Sequence, residues 1–221
     1  HEGDQMNKWA FQGVYEEPSF RYGQLSQDFF VNKLLNINEG FFLDIGAGVG
    51  GLRLCPVHTM SNTYGLEKNR QWQGIAIDYD ETYIEIAKKE RSCKLLCVDL
   101  MENNINDLLE QNNCPREIDY LSFDVDDAQE KVFNEFDFEK YRFRIITYEH
   151  NSFTCGKHRQ ESRDRFEKLG YHVLFGNVGR EPNDPVEDWY VDVDLFLKYN
   201  KISDTNLSHH QIIELLETQK I

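Results

Sequence analysis

The chain has 221 residues and carries 39 Asp and Glu against 24 Lys and Arg, a formal net charge of −15. That balance works against a nucleic-acid partner, because phosphate contacts need a basic face that releases counterions. No run approaches the roughly 18 to 20 apolar residues that span a bilayer, so neither nucleic acid nor membrane is expected, and 15 Phe, 11 Tyr and 3 Trp suit one packed domain.

Residues 1–39 read as an N-terminal helical extension. The start HEGDQMNKW has no apolar signal core. Within SQDFFVNKLL, apolar residues at 29, 30, 31, 34 and 35 predict a helix with one broad apolar face. Five cysteines, at 55, 93, 97, 114 and 155, form no CxxC pair. Neither a disulfide framework nor a zinc ribbon is indicated, and a reducing cytoplasm is the expected setting.

GFFLDIGAGVG follows, an apolar run that stops at Asp44 and opens into glycines at 46, 48 and 50. A buried strand ending in a glycine turn brings bare backbone against a nucleotide-like ligand. Gly46, Gly48 and Gly51 also satisfy the dinucleotide pattern G-x-G-x-x-G, but Pro56 breaks an early helix and the next strand-end acid, Asp78, comes 32 residues after Gly46. A ribose-binding acid is expected about 20 residues on in that pattern. An acid ahead of the first glycine suits S-adenosylmethionine instead, whose amino-acid end is cationic.

Beyond the turn, apolar and amphipathic runs alternate: SNTYGLEKNR, GIAID, ETYIEIAKKE, KLLCVDL, ENNINDLLEQN, IDYLSFDV, DAQEKVFNEF, FRIITYEH, ESRDRFEKLG, YHVLFGNV and DWYVDVDLFL. The alternation predicts an α/β core over residues 40–200, a Rossmann-like doubly wound sheet with helices on both faces. Seven strands are expected, mostly parallel, closing in an antiparallel C-terminal hairpin as in class I methyltransferases. WYVDVDLFL is read as the last strand, with one wetter face, from its period-2 alternation. Residues 201–221 form a C-terminal helix, opened by a capping box of Ser208 and Gln211.

Ligands of open α/β sheets sit outside the carboxyl ends of the strands. Those ends carry Asp44, Asp78, Asp99, Asp124 and the trio Glu149, His150, Asn151. With S-adenosylmethionine as cofactor, Asp44, Gly46 and Gly48 hold its methionine part. Asp78 accepts from the ribose hydroxyls, Tyr79 offers a face to adenine, and Asp99 with Leu100 lies at the adenine amino group. Asp78 and Asp99 are alternatively helix caps, a role Asp80 also suits. Methyl transfer to an alcohol needs a base or a metal that lowers its pKa. His150 is the first candidate, with Asp124, Asp126 and Glu149 beside it. A divalent cation such as Mg²⁺ on Asp126, Glu149 and Asn151 is the rival mechanism, and no metal is assigned. Lys157, His158, Arg159, Arg163 and Arg165 form the one basic cluster, either a solvated helix face or a grip on a phosphorylated or carboxylated substrate.

These pieces together resemble the FkbM-type methyltransferase family from about Gln27 to Leu197. The resemblance implies O-methylation of a hydroxyl on a sugar or related small molecule or glycan. It places the family's acidic-glycine turn on Asp44, Gly46 and Gly48 and its SNT segment on Ser61, Asn62 and Thr63, with Asn62 at the cofactor. It also implies that Gln27 and Asp28 bring the N-terminal helix to the cofactor side. Two departures stand out: the family's D-V-E-G-x-E reads Asp124, Val125, Asp126, Asp127, Ala128, Gln129, and its I-E-P reads Ile77, Asp78, Tyr79. The insertion after the glycine turn reads as a lid. Rival readings are an N- or carboxyl-methyltransferase, a non-catalytic cofactor- or nucleotide-binding module, and an NAD-linked oxidoreductase.

Overall fold

The computed structural model describes residues 21–48, 56, 58–150 and 156–218. Gly50, Gly51, Asn151, Cys55, Cys155 and most of the insertion expected to act as a lid lie outside the described residues. Four short strands, β1 (Phe41–Ile45), β2 (Gln73–Asp78), β3 (Lys94–Cys97) and β4 (Glu117–Phe123), run parallel with β5 (Arg142–Glu149). Then come β6 (His172–Val178), β7 (Glu187–Val191) and a two-residue β8 (Asp204–Thr205), giving the order β3-β2-β1-β4-β5-β7-β6-β8.

The expected seven strands are therefore eight. The extra one is a fragment lying parallel to β6 at the sheet edge, through Phe175↔Asp204 and Gly176↔Thr205. The antiparallel C-terminal hairpin forms between β6 and β7, and the second correction concerns its last strand. Strand β7 lies between β5 and β6, antiparallel to both, and all five of its residues are buried, with no wetter face. It also ends at Val191. Asp192 accepts from the Leu195 amide at 2.8 Å and so caps α7 (Val193–Tyr199), which takes the rest of the alternating DVDLFL run into a helix.

The remaining helices are α1 (Gln27–Leu35), α2 (Tyr64–Arg70), α3 (Glu81–Ala87), α4 (Ile105–Gln111), α5 (Gln129–Glu135), α6 (Gly156–Lys168) and α8 (His209–Thr218). Local chemistry starts several of them. Asp80 accepts from the Thr82 and Tyr83 amides and caps α3; Asn104, rather than Asp99, caps α4. The box at Ser208 forms in both directions, Ser208 N to Gln211 Oε1 at 3.0 Å and Gln211 N to Ser208 Oγ at 3.3 Å.

Apolar layers pack on both faces of the sheet, as the doubly wound expectation requires. On one side Leu43, Ile45, Leu121 and Phe123 meet Val132, Phe133, Phe136 and Phe166; on the other, Phe42, Tyr120 and Trp189 meet Phe30, Leu34, Ile212 and Leu216. Helix α1 is fixed by Phe30 stacking on Trp189 with ring centroids 4.6 Å apart. No helix among the described residues is long and apolar enough to cross a membrane.

Candidate active site

The site is built at the carboxyl ends of β1, β2, β4 and β5. After β1 the chain turns at Gly46, whose φ of +86° strains any other residue. The Gly46 and Ala47 amides both donate to Ile77 O, at 2.9 and 3.0 Å, which ties the turn to β2. A Cβ on Gly46 would overlap the Asp124 carbonyl, so this glycine answers to the neighbouring strand. Gly48 differs: its amide donates to Asp78 Oδ2 at 2.7 Å, and a Cβ there would come within 2.7 Å of the same carboxylate oxygen.

Asp78 is the hub of this half of the site. Its Oδ1 accepts from the Asp80 amide at 2.8 Å while Oδ2 holds the Gly48 amide, leaving lone pairs on both oxygens. Burial pushes its pKa up, against the amides that favour the charged form. Tyr79 beside it is 71% exposed, and Met101, past β3, is 49% exposed. Both stand past the carboxyl ends of their strands, the edge at which ligands of such sheets bind. Asp99 holds the Met101 amide at 2.8 Å, and Leu100 is buried, with its carbonyl accepting from Lys131.

Asp44 lies one layer deeper than expected for a direct ligand. It is 2% exposed and its Oδ2 takes the Thr63 hydroxyl at 2.7 Å. Thr63 Oγ1 in turn accepts from Arg91 Nη2 at 3.0 Å, and Arg91 Nε pairs with buried Glu67 at 3.0 Å. Asn62 donates to Ser122 Oγ at 3.0 Å and leaves its Oδ1 without a partner. The SNT segment thus braces the β1 end from within. Desolvation raises the Asp44 pKa.

At the other half, Asp124, Asp126 and Glu149 bring carboxylate oxygens within 4.8 Å of one another. Asp124 is pushed well above the usual carboxylate range by burial and by its hydrogen bond and repulsion with Glu149; Glu149 is raised too, again by desolvation first. Two desolvated carboxyls in contact favour a shared proton over two charges, and Asp124 is the more strongly raised of the two. Gln129 sets the gap between them. Its Nε2 donates to Phe123 O at 3.2 Å and to Glu149 O at 2.6 Å, and its Oε1 accepts from the Val125 amide at 2.9 Å.

His150 is not part of this group of carboxylates. Its side chain is fully enclosed, neither ring nitrogen has a hydrogen-bond partner among the described residues, and Nε2 lies 3.6 Å from Asp188 Oδ1. Asp188 is already saturated by Arg163, with two contacts of 2.7 Å, and by the Asn177 amide at 2.8 Å. Desolvation holds the imidazole neutral, with a pKa lowered to about 4. His150, the first candidate for the base at the end of β5, is an interior residue here.

The basic cluster is likewise structural in part. Arg165 donates to the carbonyls of Phe133 and Phe136, Arg163 pairs with Asp188, and His158 meets the Tyr148 hydroxyl at 2.5 Å. Three residues of the site carry no signal in the sequence. Met101 is apolar and unremarkable in a string; Ser122 belongs to a strand interior; Glu187 is fully buried and holds Gln27 Nε2 at 2.8 Å and Trp189 Nε1 at 2.7 Å. The Gln27 contact brings α1 to the strand end next to Glu149, which pairs with Glu187 across the ladder.

The strand order and helix placement define the class I, S-adenosylmethionine-dependent methyltransferase fold. A class I S-adenosylmethionine-dependent methyltransferase assignment also attaches to a Listeria monocytogenes protein of solved structure, which shares 12% identity over 98% of this chain and 77% of its own, with a TM-score of 0.56. A TehB-like S-adenosylmethionine-dependent methyltransferase from Corynebacterium glutamicum is 12% identical over 86% and 96% of the two chains (TM-score 0.45). The precorrin-6y C5,15-methyltransferase of Geobacter metallireducens is 13% identical over 82% and 95% (TM-score 0.48). At these identities the likeness is one of fold, and it rests on the Listeria structure. No curated protein matches the chain with significance. The FkbM methyltransferase domain matches residues 60–173, and the chain belongs to the FkbM methyltransferase family.

Proposed function

We propose that this methyltransferase transfers a methyl group from S-adenosylmethionine to a hydroxyl of a sugar or related small molecule, using the Asp124–Glu149 carboxyl pair as its base. The observation that carries the reading is that pair, with carboxylate oxygens within 4.8 Å at adjacent strand ends, where burial and mutual repulsion push both pKa values up. Bound S-adenosylmethionine supplies an electrophilic methyl on a sulfonium. Its seat fits the residues present: Asp78 keeps acceptor capacity on two oxygens for the ribose diol, Gly48 leaves out the Cβ that would crowd that carboxylate, and Tyr79 and Met101 present bare apolar surface for a flat base. Asp44 acts through Thr63, orienting the turn.

An acceptor hydroxyl hydrogen-bonded to Glu149 would pass its proton to that carboxylate as its oxygen bonds the methyl carbon and the carbon–sulfur bond breaks, with S-adenosylhomocysteine as the leaving group. Asp124, already protonated, donates to Glu149 and fixes its orientation. Alignment with the donor does the rest, since in-line displacement depends on proximity and exclusion of water. Desolvation raises the basicity of Glu149, which suits proton capture from the acceptor hydroxyl.

The test uses the full chain, radiolabelled S-adenosylmethionine and a panel of sugars and hydroxylated metabolites. Label should appear on an acceptor, and Glu149→Gln should lower kcat by about 10²–10⁴-fold with S-adenosylhomocysteine affinity unchanged in calorimetry. Retention of full kcat in that variant refutes the carboxylate base. The same three carboxylates offer oxygens to a hard cation, and loss of activity on treatment with EDTA, regained with Mg²⁺, moves the acceptor chemistry to a metal.

A further inference from the structure

Two arginines at the carboxyl edge of the sheet have no carboxylate partner among the described residues, in a chain of net charge −15. Arg159 Nη1 donates to Asn177 Oδ1 at 3.2 Å, the same neutral oxygen that takes Arg163 Nη2 at 2.8 Å. Arg163 is paired with Asp188, whereas Arg159 has no ion pair among the described residues. Arg180, exposed two residues past β6, makes no ion pair or side-chain hydrogen bond among the described residues.

Register brings both to the acceptor side. Glu149 pairs with Glu187, and Glu187 pairs with Val178. The His150 amide donates to Val186 O and the Val186 amide to Val178 O, at 3.2 and 3.0 Å. Asn177, which holds Arg159, directly precedes Val178, and Arg180 follows it closely, so the guanidinium carriers stand level with the end of β5. The charges act there too: Arg180 favours ionised Glu149 and Arg159 opposes a charged His150. No acidic residue occupies the first turn of α6 or α8, the helices that start at this edge.

We propose that Arg159 and Arg180 form an anion subsite, so that the methyl acceptor is a hydroxyl compound carrying a carboxylate or phosphate. That the bound anion is a methyl acceptor rests on the methyltransferase reading above; the subsite itself does not. A guanidinium fork meets either anion with paired N–H donors, while Glu149, on β5 with β7 between it and β6, takes the hydroxyl. The subsite orients one end of the acceptor and keeps its negative charge away from Asp124 and Asp126. A neutral sugar has nothing to offer these arginines.

The full chain, saturated with S-adenosylhomocysteine, is titrated calorimetrically with inorganic phosphate, glucuronate, glucose 6-phosphate and glucose, as wild type and as Arg159→Gln and Arg180→Gln. Phosphate and at least one anionic sugar should bind, glucose should not, and each variant should weaken the anions about tenfold or more. The preferred anionic sugar tells carboxylate from phosphate. Binding of glucose equal to that of the anions, no anion binding at all, or anion binding unchanged in both variants overturns the subsite. Wild-type and variant S-adenosylhomocysteine titrations are read separately. Failure of the wild type to bind it defeats the methyltransferase reading, and phosphate titration of the free chain then still decides the subsite; equal affinity in the variants shows that they are folded.

Discussion

Gln129 donates a 2.6 Å hydrogen bond to the Glu149 carbonyl and a second, at 3.2 Å, to Phe123 O, clamping the carboxyl ends of β4 and β5 with one amide. Only an amide does this, since Nε2 has two hydrogens and Oε1 takes the Val125 amide. Gln129→Glu turns a donor into an acceptor facing two carbonyls. Loss of about 2–4 kcal/mol in urea unfolding at pH 8 is expected, from two buried bonds broken and a charge left among acceptors. The loss should shrink at pH 5, where the introduced carboxyl takes up a proton and donates again; an equal loss at both pH values refutes the clamp.

The two glycines of the β1 turn should separate stability from ligand binding. Gly46 has φ +86° and stands against the Asp124 carbonyl, whereas Gly48 stands against the end of the Asp78 side chain. Backbone cannot step aside and a carboxylate can. Gly46→Ala is expected to cost at least about 3 kcal/mol or to prevent folding. Gly48→Ala should fold with a melting temperature near wild type while S-adenosylhomocysteine affinity falls about tenfold or more, because Asp78 is displaced. Thermal melts and calorimetry on both variants give the comparison, and a Gly48→Ala chain that binds normally removes that turn from the cofactor site.

Asp78 carries the sharpest cofactor prediction. Asp78→Asn keeps one acceptor oxygen and replaces the other with a donor that faces either the Gly48 or the Asp80 amide. Affinity for S-adenosylhomocysteine should fall about 10–100-fold, the worth of one or two hydrogen bonds to a charged group. Unchanged affinity would place the ribose elsewhere.

The strand-end acids were legible because parallel strands read as apolar runs and each run stops at its carboxylate. Caps were legible for the same local reason: Asp80, Ser208 and Gln211 act within three residues of themselves. Helix α7 was misread because DVDLFL fits alternation as well as a helix, and the capping bond from Asp192 to Leu195 decides between them. Burial was the larger blind spot. A string shows His150 next to Glu149 but not that the folded chain encloses it fully, beside a saturated Asp188 on β7. Glu187 and Ser122 escaped because what makes them matter, Gln27 and Asn62, lies 160 and 60 residues away in sequence.

His150 gives the pH prediction its sign. Its folded pKa is lowered to about 4 from 6.5 by burial, so the folded state resists a proton that the unfolded chain accepts. Its stabilising contribution is complete above pH 6.5 and is lost as pH falls toward 4. At pH 5 the loss is about 2 kcal/mol, since each tenfold difference in proton affinity between the folded and unfolded chain is worth about 1.4 kcal/mol. Glu187 and Asp28, both raised to about 7 by burial, work the other way: they hold protons the unfolded chain has released, and their contribution falls as pH rises from about 4 to 7. In the wild type the two slopes oppose each other between about pH 4.5 and 6.5. His150→Leu removes the opposing slope, so between about pH 4.5 and 6.5 the variant should lose stability more steeply than the wild type, in which one histidine offsets only part of the loss from two carboxyls. Urea midpoints measured at half-unit steps resolve the difference, and parallel profiles for the two proteins would mean that His150 is hydrated in the folded chain and free to act as a base after all.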